Sequence, residues 1–272
     1  MNIRVLLSTL ALSVLLITAC GNQQNSADLK PDASADKAHK EDDCSRVHWS
    51  HHAGEDGPEN WKNLCDGFSD CGGQAQSPID IKSDALKSPA GLQAIAVNYG
   101  ASPVDIINNG HTVQFNISGE HSAMLGGKKY TLLQFHYHAL SEHTIDGKYY
   151  PLEVHFVHKH SDTDFAVIGV MFEEGAENPL FSKYLDHFPQ SRGEYSTEET
   201  FEPASMLPSD MGYYHYQGSL TTPPCSEVVS WYVLKTPVTA SAKQLKAFAA
   251  ILDNNYRPVQ PLNGRDVVVF NP

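Results

Sequence analysis

Gln134-Phe135-His136-Tyr137-His138 and Glu153-Val154-His155-Phe156-Val157 decide how this chain is read, with His155 seventeen residues beyond His138. On β-strands, whose side chains alternate between faces, Gln134, His136 and His138 share one face and Phe135 and Tyr137 the other. The same period sets Glu153, His155 and Val157 together, with Val154 and Phe156 behind. Two adjacent strands therefore bring three imidazoles to one point. Three neutral histidines leave a tetrahedral zinc one open position, which is a catalytic and not a closed structural arrangement. A ligand histidine needs its other ring nitrogen held by an acceptor, and Gln134 and Glu153 each stand two residues before a histidine on the same face.

Working outward, strand signals dominate. Residues 112–117 alternate polar with apolar, residues 165–172 form a largely apolar run, and residues 228–234 are β-branched and aromatic. Helix signals are few: Asn178-Pro179 opens residues 180–188, and Ser241 opens Ala242–Leu252. These patterns predict a mainly β (α+β) chain with a large sheet and a few short peripheral helices. From Cys44 onward there is no repeat and no composition shift, so residues 44–272 read as one domain.

The amino-terminal part reads differently. Residues 1–19 carry one base, Arg4, no acid, and an apolar run too short for a spanning helix, the pattern of a secretory signal. The run ends Leu16-Ile17-Thr18-Ala19-Cys20, which resembles a bacterial lipobox, so Cys20 is expected to carry lipid and to anchor the chain without spanning the membrane. Residues 20–43 are polar, lack apolar periodicity and read as a disordered tether. Removing residues 1–19 moves the formal charge from -13 to -14, which argues against nucleic acid as a partner and against charge-driven binding to anionic membranes. Four cysteines then remain, Cys44, Cys65, Cys71 and Cys225. An oxidising compartment permits two bridges, with three pairings open.

Gln134-Phe135-His136-Tyr137-His138, Ser141-Glu142-His143-Thr144, Leu152-Glu153-Val154-His155 and Gly218-Ser219-Leu220-Thr221-Thr222-Pro223-Pro224 occur in this order. So do Gly57-Pro58-Glu59-Asn60-Trp61, Gln76-Ser77-Pro78-Ile79-Asp80-Ile81, Asn108-Asn109-Gly110-His111 and Arg257-Pro258-Val259-Gln260-Pro261-Leu262. Over roughly residues 48–270 the chain resembles the alpha carbonic anhydrases, in the exported bacterial lipoprotein form. The resemblance implies a central, mostly antiparallel, twisted sheet of about ten strands, with one zinc ion at the foot of a conical cavity. It makes His136, His138 and His155 the zinc ligands, held by Gln134, the carbonyl of Asn255, and Glu153 respectively.

The resemblance further implies reversible hydration of carbon dioxide to bicarbonate and a proton by a zinc-bound hydroxide. Thr221 would accept the hydroxide's hydrogen and donate its own to Glu142. Thr222 would contact bicarbonate, while Val157, Val167, Leu220, Val229 and Trp231 would form the apolar wall for carbon dioxide. His111 would shuttle the proton, as an imidazole titrating near neutrality can. Cys71 and Cys225 match positions that pair in secreted bacterial members, leaving Cys44 to Cys65. One departure stands out: Trp49-Ser50-His51-His52 places His51 where the family has tyrosine, which bears on the water wiring of the site.

His39, His48, His52, His121, His158, His160, His187 and His215 match no catalytic position and are expected on the solvated surface. The expected address is the periplasmic side of the outer membrane, or the cell surface of a one-membrane bacterium. Oligomeric state is left open, a dimer included. Two other functions compete: a non-catalytic binding or adhesion module on the same fold, and a zinc hydrolase of esters. An intact ligand set argues against the first, and relative specificity constants decide the second.

Overall fold

The computed structural model describes residues 43–272; the leader, Cys20 and the tether up to residue 42 lie outside the described residues. Twelve strands of one sheet occupy its centre, and nine of them form a continuous path. Across the sheet the order is Gly193–Phe201, Ser102–Asn108, Val113–Asn116, Lys128–His138, Leu152–Ser161, Asp164–Glu174, Val229–Leu234, Tyr213–Gly218 and Val268–Phe270. Pairing is antiparallel except where Val229–Leu234 and Val238–Ala240 run parallel to Asp164–Glu174. The sheet is thus larger than the ten or so strands anticipated, because short strands such as Ala96–Asn98 and Ser122–Leu125 extend it off the main path. Asp80–Ile81 and Thr144–Ile145 form a separate two-stranded parallel ribbon.

Register follows from the alternation of side chains. His136 stands opposite His155, Phe135 opposite Phe156 and Tyr137 opposite Val154. A slip of one residue would turn every one of these side chains to the wrong face. The aromatic members are fully buried with Ile168, Val170 and Phe172 in the main core. The other face of the sheet carries a smaller apolar cluster that includes Val157, Val167, Val229 and Trp231. The histidines stand on that second face.

Helices cover the main core as their caps foretell. Ala242–Leu252 begins with a capping box in which Ser241 and Gln244 satisfy each other's backbone N–H, and it buries Leu245, Phe248 and Leu252 along one stripe. The Asn178 side chain accepts from Leu180 and Phe181 at the start of Pro179–Tyr184. The helix expected to reach residue 188 ends earlier as α-helix, and Leu185–His187 tightens into a 3-10 turn. At the amino-terminal edge Trp61, Phe68, Cys71 and Cys225 make a third small core.

Two disulfides, Cys44–Cys65 and Cys71–Cys225, close this edge, with Cα separations of 6.0 and 4.8 Å. In the chain-entropy account the longer loop constrains the unfolded chain more. Breaking Cys71–Cys225, which spans 154 residues, should cost about 5 kcal/mol, against about 3 for Cys44–Cys65, which spans 21. Urea unfolding of the paired Cys→Ser variants measures both.

The surface expectation for His121 and His158 is wrong: they are 3% and 0% exposed. Each finds a partner inside, His121 Nε2 at the Ser118 carbonyl and His158 between the Tyr99 hydroxyl and the Ala166 carbonyl. Burial pushes the His158 imidazole from its ordinary 6.5 down to about 4. The unfolded chain therefore binds this proton at higher pH than the folded chain. The stability linked to His158 is complete above pH 6.5 and lost as pH falls toward 4, by about 3 kcal/mol at most. A His158→Gln variant should flatten that part of the stability-against-pH curve.

Candidate metal centre

Each of the three central histidines has one ring nitrogen held by an oxygen acceptor. His136 Nδ1 lies 2.9 Å from Gln134 Oε1, His138 Nδ1 2.7 Å from the Asn255 carbonyl, and His155 Nε2 2.9 Å from Glu153 Oε1. Carbonyl and carboxylate oxygens only accept, so these nitrogens donate and the opposite nitrogen of each ring keeps its lone pair. One ligand nitrogen from each histidine lies within 4.8 Å of the others. Burial, reinforced by the neighbouring histidines, holds His136 well below its ordinary pKa; burial also lowers His138. Both are therefore neutral at pH 7, as ligation requires. In His155 burial pulls downward, but Glu153 and Glu142 outweigh it and the net direction is up. His138 Nε2 is buried without a partner among the described residues, which is what a nitrogen reserved for a cation looks like. The donor set fits zinc.

Glu153 organises more than its histidine. Oε1 also accepts from His143 Nδ1 at 2.8 Å, and Oε2 accepts from the backbone N–H groups of Glu142 and His143 at 2.8 and 2.9 Å. Burial works against this charge, yet His143 and His155 hold its carboxyl well below the usual range. His143 Nε2 lies 2.7 Å from the Tyr216 hydroxyl, itself 2.8 Å from Ser77 Oγ. His143 and Ser77 both lie within the sequence motifs, and neither has a role expected of it from the sequence. The signal available was the unbroken polarity of Ser141-Glu142-His143-Thr144 beside an apolar strand.

Glu142 is fully buried. Its Oε1 accepts from the backbone N–H of Arg257 at 2.8 Å. Its Oε2 faces the histidines, 3.5 Å from His138 Nε2 and 3.7 Å from His155 Nδ1, with no hydrogen-bond partner among the described residues. The donation from the Thr221 hydroxyl to Glu142 is accordingly not among the bonds of this structure. Thr221 is nevertheless placed by the loop from Ser219 to Cys225, which the segment Gln76-Ser77 braces. Ser77 N donates to Ser219 Oγ, Ser219 N to Ser77 Oγ, and Gln76 Nε2 to the Cys225 carbonyl. Arg257, 1% exposed, ties the brace together by donating to Gln76 Oε1 and to the carbonyls of Ser77 and Cys71.

A cavity of about 150 Å³ rises from this centre, lined by His136, His138 and Gln134 at its foot and by Thr222, Gln114, Thr112, Asn109, His111, His51 and Trp49. A wider recess of about 300 Å³ shares Trp49, His51, His111 and Thr112 with it. His111 is half-buried and stacked on Trp49, with ring centroids 3.8 Å apart. Burial lowers its pKa, and the charges of Arg192 and His48 act in the same direction. Of the five wall residues, Val167, Val229 and Trp231 are packed almost completely away, while Val157 and Leu220 keep some exposure beside them. Trp231 lies edge-on to His155 at 4.8 Å and donates Nε1 to the Ser219 carbonyl.

Fold and centre together define a single-domain β protein with three histidines able to hold a metal ion at the bottom of a cavity. The eukaryotic-type carbonic anhydrase family model matches residues 56–271. The carbonic anhydrase of Pectobacterium carotovorum is 43% identical over 227 residues, covering 82% of this chain and 91% of that protein. That of Neisseria gonorrhoeae is 41% identical, covering 82% and 88%. The alpha carbonic anhydrase of Thermovibrio ammonificans, solved in complex with the inhibitor sulfanilamide, superposes with a TM-score of 0.78 at 42% identity, covering 82% of this chain and 99% of that one. The chain belongs to the alpha, or eukaryotic-type, carbonic anhydrase family, whose reaction is the hydration of carbon dioxide and whose members are zinc-dependent.

Because Glu153 receives four N–H groups, a glutamine there must set its own amide hydrogens against at least one of them. Glu153→Gln is expected to weaken metal binding about 10- to 100-fold, measured by competition with a chromophoric chelator.

Proposed function

We propose that this chain catalyses the reversible hydration of carbon dioxide to bicarbonate and a proton, with one zinc ion held by His136, His138 and His155. The convergence of three acceptor-fixed histidines at the foot of a cavity carries this reading. Zinc in such a site acts as a Lewis acid and lowers the pKa of bound water to about 7, a value established for carbonic anhydrase itself.

The chain's own residues then have separable tasks. Gln134, the Asn255 carbonyl and Glu153 hold the three imidazoles in the tautomers that offer a lone pair inward. The Asn255 side chain fixes its own position by accepting from Ala139 N and donating to the carbonyls of His111 and Tyr137. Glu142 has one oxygen tethered by Arg257 and the other without a partner among the described residues, which leaves that oxygen free to accept from the Thr221 hydroxyl. A threonine with its hydrogen committed in that way would present only its lone pairs to the site, and Thr221 would then serve to accept a hydrogen from the oxygen nucleophile and orient it toward the substrate carbon. Val157 and Leu220, backed by Val167, Val229 and Trp231, exclude water where apolar carbon dioxide rests. Thr222 on the cavity wall can donate to bicarbonate. His111 takes the released proton on its imidazole and passes it to buffer. A non-catalytic binding module is not favoured, since no member of this set is replaced.

We also propose that residues 1–19 direct export and that Cys20 is acylated, placing the enzyme on the periplasmic side of the outer membrane or on the cell surface. The order of charge, apolar run and cysteine supports this reading, and two disulfides are compatible with an oxidising compartment.

Stopped-flow hydration by the zinc-loaded protein tests the enzyme reading. The wild type should bind one zinc per chain and hydrate carbon dioxide far above buffer. His138→Ala should lose the metal and the activity together while keeping its fold. A folded, zinc-replete wild type that leaves the rate at the buffer value would overturn the reading.

A further inference from the structure

The first residues of the domain are held by very little. Residues 43–60 pair with no strand of the sheet. Among the described residues, every hydrogen bond and ion pair of residues 43–47 stays within those residues. Their covalent tie is Cys44, bridged to Cys65, which follows the helix Trp61–Leu64. That far end is firm, because Trp61 and Phe68 are buried beside it and Cys71 is tied to Cys225. Downstream, the Ser50 carbonyl accepts from Trp61 Nε1 at 3.0 Å and the Ser50 N–H donates to the Asp56 carbonyl at 2.9 Å. Trp49 sits between these two anchors, and the His111 ring stacks on its indole, 3.8 Å away and 10° from parallel. Between the anchors the chain has only the packing of Val47 and Trp49 on the small amino-terminal core and an exposed His48–Asp56 pair, which adds little. The two bridges differ in access: Cys44 and Cys65 are partly exposed, whereas Cys71 and Cys225 are buried. Thiol–disulfide exchange requires a thiolate to reach a sulfur, so in the folded protein the first bridge is the one open to attack.

We propose that Cys44 and Cys65 are a positioning pair for proton release, and a reducible one: their bridge holds Trp49 against His111, and opening it lets the indole swing away. The inference rests on the reading of His111 as proton carrier. Opening takes a dithiol as co-reactant. The two sulfurs of the dithiol join in a disulfide as the Cys44–Cys65 bond breaks, and the two electrons and two protons it gives up end on the Cys44 and Cys65 thiols. With the bridge closed, the indole fixes the imidazole at the edge shared by the small cavity and the wider recess, so the ring borders both. Released from the stack, the ring divides its time among orientations of which only some reach the cavity. The three central histidines and the Thr221 loop are untouched, since the Cys71–Cys225 bridge stays closed.

The test compares three forms of the zinc-loaded protein: untreated wild type, wild type after brief dithiothreitol treatment, alkylation and desalting, and the paired variant Cys44→Ser/Cys65→Ser. Zinc content and far-ultraviolet circular dichroism are the controls, and the treated wild type serves if the variant does not fold. Mass spectrometry should find alkyl groups on Cys44 and Cys65 with Cys71–Cys225 intact. In both open forms hydrogen exchange of residues 44–50 should rise about ten-fold. The His111 imidazole, held down mainly by burial, with Arg192 and His48 adding to it, should titrate closer to its ordinary 6.5 as the cover of Trp49 and the charge of His48 move off. In dilute buffer kcat for carbon dioxide should fall about three-fold, kcat/KM should stay within about two-fold, and concentrated imidazole should restore kcat. Opening the bridge in a His111→Ala background should cost nothing more. Alkylation of all four cysteines together would overturn the proposal, as would unchanged exchange or unchanged dilute-buffer kcat in the folded open forms. A parallel fall of kcat, kcat/KM and zinc content marks general loosening and overturns it too. If His111→Ala keeps the wild-type kcat, the His111 reading fails and takes this inference with it; if only the open forms keep it, that reading stands and the clamp alone falls.

Discussion

A carboxylate buried without water must be given its hydrogen bonds by the protein, and Glu153 receives four: two from the backbone of Glu142 and His143, one from the His143 ring and one from the His155 ring. Such a charge is tolerable in a core only when paired and fully bonded. Satisfying it dictates much else. It turns His155 so that the other nitrogen faces the cavity, and it curls the chain after His138 so that Glu142 points back at the histidines. Through His143 it also engages Tyr216 and Ser77, on segments far away in the sequence.

The centre therefore has two layers with different origins. The histidines come from two neighbouring strands whose register sets His136 beside His155, and their rigidity is that of the middle of a large sheet. Thr221 comes from a loop, which by itself would be mobile. Its position is secured by the Gln76-Ser77 brace, by Arg257 beneath it and by the Cys71–Cys225 bridge. Arg257 has its own tension: burial pulls its guanidinium down to about 10. Three of its partners are carbonyl oxygens and none is a carboxylate on the same fork. It stays charged at neutral pH because those acceptors, and the face of Trp61 at 5.3 Å, replace water.

The cavity mouth shows the same economy of space. Asn108 and Asn109 accept from the backbone of Gly110, His111 and Thr112 and so shape a tight turn. Gly110 adopts φ +87°, and a Cβ there would meet the Arg192 guanidinium at 2.6 Å. The turn delivers His111 onto Trp49, and Trp49 with Trp61 encloses His51. Trp49 thus forms one wall of the cavity mouth, and polar side chains such as Asn109, Thr112 and Gln114 line the rest of it.

What the sequence by itself determined is the local part. A period of two placed His136, His138 and His155 on one face, and Gln134 and Glu153 in reach of their own neighbours, because alternation along a strand is a property of the backbone. Caps at Asn178 and Ser241 marked helices for the same reason. Family resemblance added the Asn255 carbonyl and the Cys71–Cys225 pairing, where the cysteine count alone left three possibilities. Tertiary structure alone decided that His121 and His158 are buried, that Glu153 also binds His143, that Arg257 clamps the Thr221 loop and that His51 lies near both His138 and His111. Each of these joins residues or surfaces distant along the chain, or depends on how strands stack and loops fold over them. No periodicity reports that, since burial is set by what packs on a residue and not by the residue itself.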